Sequence, residues 1–144
     1  MPYQNTQLGL VAVGILGAAA VVIWRLTGNA PMEAILVPFV ILAAMAIVFS
    51  SLTVAVTATG LEWWLGFGLL KRSIRFEEIS AARARRIFPL AFGIHWDLRG
   101  GVSYIVNGGA AVELFIKNGK RVILSCNDPF KIVELLKHHG IEAA

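Results

Sequence analysis

The chain of 144 residues is 57% hydrophobic and only 15% charged, with a net charge of +4 and a mean hydropathy of +0.71. Soluble domains average about 25% charged residues, so a wholly aqueous chain is excluded, and the single cysteine, Cys126, excludes an internal disulfide. The pI near 9.6 does not point to nucleic acid, because the basic residues are few and spread out.

The charges are uneven. Residues 1–52 hold only Arg25 and Glu33. From Leu8 to Trp24 no residue is charged, and at 1.5 Å per residue that run is about 26 Å long, near the lower limit for a hydrocarbon core. Arg25 follows, then Gly28, Asn29 and Pro31, which is turn chemistry. Ala34 to Val56 is again charge-free. The pattern predicts a transmembrane helical hairpin over residues 1–51, with helices at about 8–26 and 33–51. Pro38 lies early in the second helix, where it is tolerated. Gly14 with Ala18, and Ala46 with Ser50, allow close helix contact. A cleaved signal peptide fits poorly, since Met1–Gln7 has no Lys or Arg.

Residues 52–144 change to period two. Leu52, Val54 and Val56 alternate with Thr53, Ala55 and Thr57, and Leu61, Trp63 and Leu65 alternate with Glu62 and Trp64. Trp63 is expected in the core and Trp64 outside. After Gly66-Phe67-Gly68, Lys71, Ser73 and Arg75 share one face of the next strand, and Arg83 with Arg85 share a face of another. Ile94, Trp96 and Leu98 alternate in turn. Further strands follow the breaks at Gly100-Gly101, Asn107-Gly108-Gly109 and Asn118-Gly119, the last being a strong hairpin signal. Then the period lengthens. Asp128 can cap a helix, Pro129 suits its first position and Gly140 its end. Ile132, Val133, Leu135 and Leu136 make its apolar side. The reading is an α+β fold: the helical hairpin, then about seven short antiparallel strands forming a PH-like curved sheet or partial barrel, closed by a C-terminal helix.

The order of landmarks in this region resembles bacterial pleckstrin-homology-like (PH-like) domains that follow two membrane helices. Those landmarks are Gly60-Leu61, Gly66 and Gly68, Glu78-Ile79, Gly93-Ile94, Tyr104, Gly108, Val112-Glu113-Leu114, Gly119 and Asp128-Pro129. The resemblance covers residues 52–140. It implies the barrel fold and a membrane setting, and no defined reaction.

Motifs for chemistry are weak. Gly66-Phe67-Gly68 lacks the Gly-Lys-Ser/Thr ending of a phosphate loop. His95, His138 and His139 show no metal-ligand spacing. Cys126 has no basic partner to make it a thiolate nucleophile. No cofactor, metal or enzymatic activity is expected. If their strands are neighbours, Lys71, Arg75, Arg83 and Arg85 form one basic patch with Arg72 and Arg86 at its edge. Such a patch binds anionic lipid at about 1 kcal/mol per residue. Trp64 and Phe115 are outward aromatics suited to a headgroup layer or a partner.

The functional expectation is a membrane-anchored adaptor that binds a protein partner or a second copy of itself. The alternatives are a sensor of anionic lipid headgroups and, more remotely, an accessory subunit of a transporter or enzyme complex. The excess of Lys and Arg after residue 52 predicts a multi-pass protein of the bacterial cytoplasmic membrane with both termini cytoplasmic.

Overall fold

A computed structural model describes residues 2–144. It begins with a strand, β1 (Tyr3–Leu8), followed by two helices, α1 (Leu10–Thr27) and α2 (Met32–Val48). Next come β2 (Ser51–Val56), β3 (Gly60–Leu65), β4 (Leu70–Arg75) and a 3-10 turn at Phe76–Glu78. The chain continues through β5 (Ile79–Ile87), β6 (Gly93–Trp96), β7 (Val102–Ile105), β8 (Gly109–Ile116) and β9 (Arg121–Ser125). It closes with α3 (Pro129–His138) and the two-residue β10 (Glu142–Ala143).

The strands form two separate sheets, ordered β1-β2-β3-β4 and β10-β5-β8-β9-β7-β6. This corrects the expected seven-strand barrel: there are ten strands among the described residues, and neither sheet closes on itself. The physical reason lies at Phe76–Glu78. This turn ends β4 without returning the chain beside it, and β5 pairs instead with β8, about 30 residues on. The pairing is not wholly antiparallel either, since β7 runs parallel to β9 and β10 parallel to β5.

Period-two alternation sets what each strand buries. Leu52, Val54, Leu61, Trp63 and Leu65 of the first sheet meet Ala82, Val112, Leu114 and Leu124 of the second in one core. Trp63 packs edge-to-face on Tyr104, with ring centroids 5.7 Å apart. Helix α3 packs against β2, β5 and β8 and adds the fully buried Ile132 and Leu136. The carboxylate of Asp128 accepts from the Lys131 backbone N–H at 3.0 Å and starts the helix.

Helices α1 and α2 form an arm set between two paired strands. All six residues of β1 pair antiparallel with β2, from Tyr3 opposite Val56 to Leu8 opposite Ser51. Both roots of the arm therefore leave the same end of the sheet. The arm buries only Ala12 and Leu16, and Trp24 meets Phe39 edge-to-face across it at 6.3 Å.

The helices are shorter than the charge-free runs suggested, because β1 takes Leu8 and β2 begins at Ser51. One helix, α1, is long and apolar enough to cross a membrane, with 18 residues at a mean hydropathy of 2.1. With 17 residues, α2 reaches about 25 Å, below the roughly 30 Å of a hydrocarbon core. The multi-pass expectation, and the topology drawn from it, are not supported.

The arm gives the molecule a near end and a far end. The β3–β4 turn, the β5–β6 loop and the β7–β8 turn all lie at the near end, beside the arm. The β2–β3 and β8–β9 turns lie at the far end, as the registers require.

Candidate functional site

The most concentrated charge lies on the outer face of the six-stranded sheet. Alternation along β8 sends Val112 and Leu114 to the core and leaves Glu113 on the other face. Register puts Arg83 directly opposite Glu113. The Glu113 side chain is fully buried, yet it lies among three arginines. Arg83 Nε–H donates to Glu113 Oε2 at 2.6 Å, while Arg85 and Arg121 each donate from Nη1 to Oε1 at 3.4 Å. Arg121 also lies 3.6 Å from the Asp97 carboxylate. Arg83 stands over the ring of Phe115, 5.3 Å from its centroid.

A buried carboxylate must be paired to offset its lost hydration. Here the guanidiniums supply that compensation while remaining half-exposed themselves. The cluster thus holds three cations in fixed positions on two carboxylates. Asp97 is held below its ordinary carboxylate range, first by the Gly101 backbone N–H that donates to it. The Arg99 N–H and the charges of Arg121 and Arg99 add to this, against the opposing effect of desolvation.

The other predicted basic residues fall elsewhere. Because β4 and β5 belong to different sheets, Lys71 and Arg75 do not adjoin Arg83 and Arg85. Lys71 sits on the outer face of the four-stranded sheet, 2.9 Å from Glu62 and over the Trp64 ring at 5.6 Å. Arg75 lies at the far end, where its backbone N–H donates to Glu78 at 3.0 Å. Arg72 and Arg86 are exposed near the arm.

Glu113, the centre of the arginine cluster, was missed as a site residue. Its signal in the sequence is a lone acid in the otherwise apolar run Ala110–Ile116. Its partners come from strands 8 to 30 residues away, and only register identifies them.

Nucleophilic chemistry has no foothold at Cys126. The thiol is buried, and burial pushes its pKa up to about 12. His95 contacts the Phe92 carbonyl at 2.9 Å, and His139 stacks on Phe76 with centroids 4.2 Å apart. Among the described residues no group of three His, Cys, Asp or Glu could hold a metal ion.

The chain matches no family model, no curated protein and no solved structure. The likeness to bacterial PH-like domains therefore rests on the ordered landmarks alone.

Proposed function

We propose that the protein is a membrane-anchored adaptor whose helix α1 sits in lipid and whose sheets bind a partner protein. The supporting observation is an apolar arm that buries only two of its residues, rooted in a sheet that ends in the open edge strand β4. Side chains such as Val21, Leu36, Val40 and Ile41 stand exposed along both helices. A contiguous apolar surface of that extent needs a non-aqueous cover. Cleavage after α1, as for a signal peptide, would remove β1 and with it one edge of the sheet.

Strand β4 offers an unpaired row of backbone groups to an added strand. Its side chains choose the partner. Five of its six residues are exposed, and Lys71, Arg72 and Arg75 are basic. Pairing β4 with its own copy stacks like charges, which is unfavourable. An extended acidic segment of another protein fits better than self-association.

A photo-crosslinker at Ser73 of the full chain, activated in native membranes, tests this. The expected product is a discrete adduct with a second protein that survives high-salt washing of the membranes. A homodimer adduct sinks the acidic-partner reading. No adduct at all, or a chain that washes off the membrane, sinks the adaptor.

A further inference from the structure

Among the described residues outside 8–48, eight large apolar side chains are exposed, and six of them stand at the near end. Phe67 and Leu69 occupy the β3–β4 turn and Leu70 the start of β4, Phe88 and Leu90 the β5–β6 loop, and Phe130 the first turn of α3. Phe67 is 88% exposed and Phe88 is 70% exposed. Phe130 shares the wall of an open groove of about 540 Å³ with Arg86 and Pro89.

These tips are fastened to the root of the arm. Gly66 N–H donates to the Ser51 carbonyl at 2.8 Å. Gly66 has φ +57°, and a Cβ there would lie 2.8 Å from the Ile47 carbonyl oxygen, so the turn is pressed against the end of α2. Phe92 meets Phe49 edge-to-face at 6.2 Å. The side-chain oxygen of Asn107 accepts from the Val11 N–H at 3.3 Å, at the start of α1. Gly108, next to Asn107, lies so close under the Phe88 and Pro89 carbonyls that no side chain fits. Wherever the arm enters lipid, both loops are at that surface.

Acidic residues are scarce at the near end. The basic residues next to the apolar tips are Lys71, Arg72, Arg85 and Arg86, and the acid beside them is Asp128. Lys71 reaches back to Glu62 in mid-strand, and Asp128 is occupied in capping α3. At the far end acids and bases are mixed: Glu77, Glu78, Asp97 and Glu142 stand among Arg75, Arg99, Lys117, Lys120 and Arg121. Apolar tips bordered by cations match an acyl layer bordered by anionic phosphates.

We propose that the β3–β4 turn and the β5–β6 loop seat in the interfacial layer of an anionic bilayer. Phe67 and Phe88 reach the acyl chains, and Arg72 and Arg86 lie against headgroup phosphates. The two contacts fix how the sheets stand on the membrane and so which edge faces the cytosolic or external water. This rests on the anchor reading.

The test uses the full chain in phosphatidylcholine–phosphatidylglycerol vesicles, labelled with an environment-sensitive fluorophore. Labels go at Phe67→Cys, Phe88→Cys, Val21→Cys within α1, and Lys117→Cys at the far end. The unsubstituted protein is the labelling blank, since Cys126 is buried. The eight residues of β8 put Lys117 about 25 Å from the near end. The expected result is a blue shift at positions 67 and 88, with several-fold stronger quenching by shallow nitroxide lipids than at 117. If position 21 is quenched while either 67 or 88 behaves like 117, the two-loop seat is wrong and the anchor stands. If position 21 is also unquenched, the anchor reading fails and takes the seat with it. Quenching unchanged when phosphatidylglycerol is omitted overturns the basic contact with phosphates.

Discussion

Helices α1 and α3 are both regular, yet they stand in opposite relations to water. Helix α3 is amphipathic: Ile132 and Leu136 are fully buried, while Lys131, Glu134 and Lys137 are exposed. Helix α1 has 18 residues, one of them charged, and buries two. The first is held by the core it completes, as most helices in globular proteins are. The second gains little from its own protein, so its stability must come from the medium around it. The same division separates the two halves of the chain: substitutions in α3 should act on folding, and substitutions in α1 on partition into lipid.

The largest effect expected is in the core. Leu136→Ala removes a fully buried side chain and should cost about 2–5 kcal/mol of stability, read as a lowered denaturation midpoint in detergent. Val40→Ala, on the exposed face of α2, should leave that midpoint nearly unchanged. Equal losses at the two positions would erase the distinction. Val21→Asp, on the exposed face of α1, turns the comparison around. A carboxylate within that helix should cost about 2.5–3.5 kcal/mol of insertion, releasing the chain from alkaline-washed membranes while the circular dichroism of the sheets persists. Retention of this variant would show that α1 does not lie in lipid.

Smaller effects belong to the outer face of the six-stranded sheet. Arg83→Ala leaves Glu113 with only its two longer contacts and should cost about 1–3 kcal/mol. Arg85→Ala, which removes a 3.4 Å contact, should cost less. A reversed order would contradict the register of β5 on β8. The smallest effect is at Asp97. Its folded-state pKa is depressed, so its contribution is present above the unfolded value of about 3.9 and is lost as pH falls through the folded value. Asp97→Asn should lower the neutral denaturation midpoint slightly and leave the midpoint at strongly acid pH unchanged, so that the acid limb of a pH series flattens.

Much of the local structure was legible because its signals are local. At Asn118-Gly119, where turn chemistry predicted a hairpin, the Ile116 N–H donates to the Lys120 carbonyl at 2.9 Å. The cap at Asp128 and the inward Trp63 also follow from short-range pattern. Strand β1 left no such mark. Its sequence, Tyr-Gln-Asn-Thr-Gln-Leu, has almost no apolar alternation, and its strand character comes from pairing with residues near 50. The division into two sheets was invisible for a related reason. Nothing near Phe76 states that β5 will choose β8 over β4, a choice settled by contacts 30 residues apart. The basic residues were found one by one, but which of them share a face depended on that choice.

The pairing of β1 with β2 also has a consequence for biosynthesis. Tyr3 emerges from the ribosome well before its ladder partner Val56, which is made only after both helices have been translated. Loop-closure entropy makes such distant pairings slow. Folding back of α1 on α2 brings Leu8 and Ser51 together and converts a remote encounter into a neighbouring one. The hairpin of helices therefore sets the timetable for completing the first sheet, and a nascent chain whose arm had not yet turned back would carry β2 as an unprotected edge.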